Sequence, residues 1–380
     1  MNIPFLDLKA QYLSIKEEIQ HELNDVLDHT AYICGKKVRK FEEEFAKAQG
    51  ATFCLGLSSG TDALHVAYWA LGIGISSQVH KGKLNETLDE VLVPANTYIA
   101  TSETVTMIGA RPVFVDHEED SFNMDPTEIE RKITPRTRAI VVVHLYGQPA
   151  DLDPITAIAK KHRLAVIEDC SQAHLAEYKG KRVGTFGDVG TFSFYPGKNL
   201  GAYGEAGAVV TNRDDLYGAM LRYRQHGAVE KYRHELEGHN YRMEEIQGAV
   251  LGVKLKHLDE WTRKRRIVAD TYRSLFRRVP QVKPPVEMQY AKHVDHLFEV
   301  RVPDREGLIA FLKSRGIETG LHYPQPLHLQ EAYRYLGYKG GDFPVAEKSC
   351  KEILSLPLFA EMTSDQIHFV VDSIKEYYTR

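Results

Sequence analysis

From Ala51 to Val210 short apolar runs alternate with amphipathic stretches, and this rhythm constrains the fold more than any other feature of the chain. ATFCLGL, EVLV, RPVFV, RAIVVVHL and LAVIED have the length and apolar content of buried strands. TDALHVAYWAL, TYIATSETVTMI, DPTEIERKI and LDPITAIAKKH lie between them and carry helical spacing with helix-start residues. Strand and helix in alternation predict an α/β fold, a mostly parallel sheet with helices on both faces. After Ala165 the rhythm changes, and VGTFSFYP and AGAVVTN read as strands joined by a loop. A long helical stretch is expected from Met243 to Phe276. Beyond Val282, LFEVRV, REGLIAFLKSRG and SDQIHFVVDSIKEYY mix strand and helix as a smaller α+β lobe would.

These patterns place a large domain over residues 1–250 and a small C-terminal domain over residues 251–380, with N-terminal helices such as VRKFEEEFAKA packing toward the small lobe. The polar, aperiodic segment Ile75–Leu88 reads as a surface insertion.

At 380 residues, with 43% apolar and 26% charged side chains, the chain can bury a large core. Its net charge is −4 with both signs interspersed, so no basic stripe points to nucleic acid. Cys34, Cys54, Cys170 and Cys350 are far apart and form no Cys-x-x-Cys pair, which fits a reducing compartment. The opening MNIPFLDLKAQY lacks a signal pattern, and no apolar run suits a bilayer, so a cytoplasmic protein without membrane contact is expected. ALGIGISSQ has Ser77 where a dinucleotide fingerprint needs its third glycine. HELEGH spaces His234 and His239 wrongly for a zinc-binding helix pair, and no metal is expected.

Ligands of a parallel sheet sit at the carboxyl ends of its strands. LAVIEDCSQAH ends a strand on Glu168 and Asp169, followed by Gln172 and His174. A carboxylate there either caps the next turn or holds a cationic ring nitrogen. In SFYPGKNLGAYGEAG, Lys198 stands between an aromatic strand and a loop containing Gly201, Gly204 and Gly207. An exposed loop lysine is the ordinary reading, but a lysine in a partly desolvated site has a lowered pKa and can bond a carbonyl carbon. In GLSSGTDALHVA a strand runs into Ser-Ser-Gly-Thr-Asp at a helix start, which is either a plain cap or an anion site for a phosphate. One cofactor needs all three devices: pyridoxal phosphate takes a lysine at its aldehyde, a carboxylate at its ring nitrogen and a cup for its phosphate.

The motifs SSGTDAL, VPANTYIAT, HLYGQPADLDPI, IEDCSQAH, GDVGTFSFYPGKNLGAYGEAGAVVTN, HNYRMEEIQGA and LHYPQPLHLQ together resemble the DegT-type family of nucleotide-sugar aminotransferases. The resemblance runs from PFLDLKAQY to the final helix. It implies the fold type I architecture of aspartate aminotransferase, with pyridoxal phosphate as cofactor. By motif, Lys198 would bond the cofactor and move the proton, Asp169 would pair with the ring nitrogen, and Gln172 would lie near the ring hydroxyl. Gly60, Thr61 and Ser193 would hold the phosphate, and Tyr98 would stack on the ring. Asn240 would reach the phosphate from the neighbouring subunit of a homodimer, and His322 and Tyr323 would face the sugar nucleotide. The implied partners are L-glutamate as amino donor and a nucleotide-linked keto sugar as acceptor. GLHYPQPLHLQEAY is most similar to members acting at C3 of dTDP-linked 6-deoxy keto sugars.

Gly197 replaces a hydroxyl residue common in relatives, Ala206 a glycine, and Leu175 a small residue after His174. Two other readings stay open. Family dehydratases commonly have histidine where this chain has Lys198, which weighs against that activity. A non-catalytic regulator that binds a sugar nucleotide would have no need of Lys198, Asp169 and Gln172 together.

Overall fold

The expected strands form, and their pairing shows why they are so uniformly apolar. In the computed structural model, which describes residues 1–74 and 88–380, the strands through the main domain are β1 (Phe53–Leu57), β2 (Glu90–Pro94), β3 (Arg111–Val115), β4 (Thr137–Val143), β5 (Ala165–Asp169), the two-residue β6 (Glu177–Tyr178) and β7 (Lys181–Arg182), β8 (Val189–Ser193) and β9 (Gly207–Thr211). Seven of them make one sheet in the order β1-β9-β8-β5-β4-β2-β3. Strand β9 runs antiparallel to both its neighbours, and the pairs from β8 to β3 are parallel. The expected insertion Ile75–Leu88 lies, but for its last residue, outside the described residues.

Each face of the sheet feeds its own core, because successive strand side chains point to opposite faces. Ile140 and Val142 of β4 pack with Phe41, Phe45 and Leu251 on one side. Their neighbours Ala139 and Val141 pack with Leu64, Val105 and Met220 on the other. With both faces covered, most strand positions are buried and the exposed ones, Arg111 and Arg138, lie at the strands' amino ends; each fully buried Val, Leu, Ile or Phe contributes about 1.5–3 kcal/mol.

The N-terminal helix Lys36–Gln49 differs from its expected placement. Val38, Phe41 and Phe45 join the main-sheet core, and Ile3 at the chain's start joins the C-terminal core instead. The helix Glu245–Phe276, 32 residues and so about 48 Å long, connects the two. Its first half gives Leu251 and Leu258 to the main core, and its second half gives Val268, Tyr272 and Phe276 to the C-terminal one. Short strands β10 (Ala228–Glu230) and β11 (Arg233–His234) make a hairpin, β12 (Ala291–Lys292) pairs with β6, and β13 (Phe298–Arg301) pairs antiparallel with β14 (Ile353–Leu356). Among the described residues no helix is long and apolar enough to cross a membrane.

Candidate active site

The carboxyl ends of β1, β2, β4, β5 and β8 deliver the candidate residues to one end of the sheet. Asp169 closes β5 and is buried. The Thr101 hydroxyl donates to its Oδ2 at 2.9 Å and the Ser171 N–H to its Oδ1 at 3.1 Å. Thr101 sits in the first turn of the helix Ala100–Met107, so two elements hold the carboxylate in one orientation.

Glu168, one residue earlier, points to the opposite face and has a different task. It accepts the N–H groups of Gly184 (2.6 Å), Phe186 (2.7 Å) and Gly187 (2.7 Å), and pairs with His144 at 3.1 Å. Burial alone would raise its pKa, but the His144 ring and the backbone donors outweigh burial and hold the carboxyl below its ordinary value. His144 Nδ1 accepts the Ala150 N–H at 3.0 Å, so its Nε2 carries the proton that goes to Glu168. His144, Glu168 and Cys170 lie close enough to enclose an ion, but both imidazole nitrogens and the carboxylate are committed to these bonds. The group acts as a brace between β4, β5 and the turn before β8.

Lys198 follows β8 on the segment Tyr195–Pro196–Gly197, its N–H donating to the Tyr195 carbonyl at 2.9 Å. Its side chain is half-buried, and among the described residues its Nζ has no hydrogen-bond or ion-pair partner. Burial lowers its pKa to about 8, against the opposing pull of the Asp169 charge. The loop after it is locked by close approach: a Cβ on Gly201 would meet the Pro196 carbonyl oxygen at 2.3 Å. Lys254 Nζ donates to the Gly201 carbonyl at 2.7 Å from beneath. A Cβ at Gly197 meets nothing nearer than 3.7 Å, so packing leaves room there for the hydroxyl residue of relatives. Leu175 takes a positive φ of 63° and packs in the main core.

Gly60 and Thr61 open the helix Gly60–Ala70, capped by the Ser59 hydroxyl on the Asp62 N–H at 3.0 Å. A Cβ on Gly60 would lie 2.6 Å from the Ser193 Cβ, and one on Gly207 would lie 2.2 Å from the Ser59 carbonyl oxygen. Three backbone segments therefore meet around the first N–H groups of this helix, a cradle suited to an anion.

Gln172 is buried; its Oε1 accepts the Tyr146 N–H at 2.6 Å and its Nε2 donates to the Tyr323 hydroxyl at 3.2 Å. Tyr146 takes a positive φ of 58° to present that N–H, and its hydroxyl donates to the His322 carbonyl. His322 Nδ1 lies 2.7 Å from the Ser355 hydroxyl, which donates to the buried Glu299. The Tyr98 ring is exposed, its centroid 5.8 Å from that of Tyr323. Asn240 stands apart on the surface, with its side-chain oxygen taken by Arg242 at 2.9 and 2.7 Å. Sequence reading did not single out Thr101, Tyr146, Asn199 or His296, because their partners are distant along the chain.

A surface hollow of about 550 Å³ opens at the other end of the sheet, among Glu130, Thr134, Arg138 and His162. It lies at the amino ends of the strands and holds none of these groups.

The sequence profile of the DegT/DnrJ/EryC1/StrS aminotransferase family matches residues 13–375. A Geobacillus stearothermophilus protein named pleiotropic regulatory protein is 44% identical over 100% of this chain and 99% of its own. The dTDP-3-amino-3,4,6-trideoxy-alpha-D-glucose transaminase of Streptomyces venezuelae is 42% identical over 100% of this chain and 97% of its own. The crystal structure of S. venezuelae DesV in complex with a ketimine intermediate superposes with a TM-score of 0.94 at 42% identity, covering 100% of this chain and 99% of that one.

Proposed function

The chain belongs to the DegT/DnrJ/EryC1/StrS aminotransferase family, and on that premise we propose that it moves the amino group of L-glutamate to C3 of a dTDP-linked 6-deoxy keto sugar. Its cofactor is pyridoxal phosphate, and the residues at the sheet's end fit that group. The observation that carries the reading is an amine without a partner among the described residues, Lys198, within electrostatic reach of a buried carboxylate, Asp169, beside a backbone cradle for an anion. When bound, the cofactor supplies an electron sink for the pair released as a C–H bond breaks.

Lys198 Nζ would hold the cofactor at its aldehyde carbon and, as general base and acid, would carry the proton of the 1,3-shift. Asp169, aligned by Thr101 and Ser171, would keep a proton on the ring nitrogen. Gln172, fixed by Tyr146, would serve the ring hydroxyl, and Gly60, Thr61 and Ser193 would form the phosphate cup. Tyr98 would cover one face of the ring, and His322 and Tyr323 would line the sugar side. The exposed Tyr32, Ile33, Tyr98, Tyr195 and Tyr203 are apolar surface that a second copy of the chain would cover. In such a homodimer Asn240 reaches the partner's phosphate, and the large and small lobes divide near residue 250.

Gly60→Ala tests the cup. The new Cβ would force Ser193 aside, so cofactor affinity should fall at least about 10-fold while the fold loses roughly 1–3 kcal/mol. Fluorescence titration and thermal melting check the two effects separately.

The reaction is tested on the purified wild type. A yellow protein that bleaches with glutamate, and regains colour with a nucleotide-linked keto sugar, establishes both halves. A protein that takes up no pyridoxal phosphate overturns the cofactor reading and leaves a sugar-nucleotide-binding regulator as the alternative; the 44% identical relative is named only as a regulatory protein.

A further inference from the structure

The segment His293–Leu297 joins the two lobes beside Lys198. The N–H groups of Val294 and His296 donate to the Gly147 and Tyr146 carbonyls at 3.0 and 2.9 Å. From behind, Arg265 donates to the carbonyl of Leu358 at 3.0 Å and to that of His296 at 3.4 Å. Asn199, the residue after Lys198, is buried and clamps this segment from the front. Its Nδ2 donates to the Val294 carbonyl at 3.0 Å, which leaves its Oδ1 facing His296 Nδ1, also at 3.0 Å. An amide oxygen only accepts, so the network assigns the proton of the His296 ring to Nδ1. Nε2 is then a bare lone pair.

His296 is 8% exposed, and among the described residues its Nε2 has no partner. Unlike Nδ1 of His174, it is not among the sealed polar atoms, so the open edge of the ring is the Nε2 edge. Burial first, and then the charge of the Lys198 ammonium, hold this ring neutral, and His322 and His174 are also within electrostatic reach. The ring thus lies beside Asn199, the residue after Lys198, and within electrostatic reach of Lys198, His322 and His174.

We infer that His296 is a specificity-determining residue of this site, its Nε2 accepting a hydrogen bond from a hydroxyl of the bound sugar. A neutral acceptor suits a sugar ring, which offers O–H donors. It repels carboxylate oxygens, so it gives nothing to glutamate in the other half of the cycle. The inference rests on the sugar aminotransferase reading above.

The test compares His296→Asn with His296→Gln in the cofactor-loaded enzyme. Asparagine keeps a donor at the place of Nδ1 but cannot reach the place of Nε2; glutamine offers an acceptor at Nε2 and loses the Nδ1 donor. Bleaching of the yellow enzyme is timed with glutamate and with a dTDP-linked 3-amino-6-deoxy sugar. From a panel of nucleotide-linked amino sugars, the one that bleaches wild type fastest replaces it where it is slow. In His296→Asn the sugar rate constant should fall at least about 10-fold more than the glutamate one, the cost of one unmade hydrogen bond, and His296→Gln should restore most of that ratio. The reverse ranking, equal losses in both half-reactions, an unchanged ratio, or failure of either variant to load cofactor would make His296 a scaffold residue and overturn the inference. Wild type that glutamate does not bleach would instead overturn the aminotransferase reading, independently of either variant.

Discussion

Lys198→Ala should abolish turnover, with a loss of at least about 10⁴-fold, because in the proposed mechanism one amine both bonds the cofactor and moves the proton. No other amine can substitute from this position. Lys254, the other buried lysine near the loop, donates its Nζ to the Gly201 carbonyl and lies against the Tyr203 ring, on the loop's far side. The variant should fold normally, since among the described residues Lys198 makes no side-chain bond that its removal would break. It should still bind pyridoxal phosphate through the cup, but with the spectrum of the free aldehyde. A small primary amine added to the solution should restore part of the proton transfer, which a misfolded variant would not allow. The pH dependence has a definite sign. With its pKa lowered to about 8, Lys198 is the free amine in about a tenth of molecules at pH 7, against roughly one in 3,000 at the ordinary lysine value. The rate at which apoenzyme takes up cofactor should therefore rise with pH and level off above about 8. A rate still climbing at pH 10 would mean that Lys198 is not desolvated, and residual turnover in Lys198→Ala would assign the chemistry to another base.

The parts of this site legible in the sequence are those whose signal is local. Strands buried on both faces read as unbroken apolar runs, so their ends, and Asp169 and Lys198 with them, could be located to the residue. The start of the helix Gly60–Ala70 was legible as a small-residue turn. Long-range pairings were not. Asn199 and His296 are 97 residues apart and Thr101 and Asp169 are 68 apart, so no spacing rule joins either pair. The helix Lys36–Gln49 shows the same boundary from the side of packing. Its stripe of Val38, Phe41 and Phe45 says that one face is buried, and only the tertiary structure says that the main sheet covers it. DPTEIERKI reads as a longer helix than it forms. One turn, Pro126–Ile129, passes into the tighter Glu130–Lys132, and Pro135 then forces the preceding residue toward extended backbone on the way into β4.

Asp169→Asn should keep the fold and the cofactor but slow the glutamate half-reaction by roughly 10² to 10³-fold, the range expected when a buried charged hydrogen bond loses its anion. The carboxylate is buried and receives two donors on this chain, the Thr101 hydroxyl and the Ser171 N–H. Neither donor carries a charge. Its remaining lone pairs are therefore available to a cationic N–H, and a protonated ring nitrogen is the partner the cofactor offers. An amide in the same place still fills the space and can still accept from Ser171, so stability should change little. What it cannot do is stabilise positive charge on the nitrogen, and without that the ring accepts electrons poorly. The check is a stopped-flow measurement of bleaching with α-deuterated and ordinary glutamate. A slower reaction with a larger isotope effect places the lost energy in breaking the C–H bond, where Asp169 acts through the ring. If Asp169→Asn bleaches at the wild-type rate, the carboxylate only caps the turn at Ser171, and the charge that balances the ring must come from elsewhere in the site.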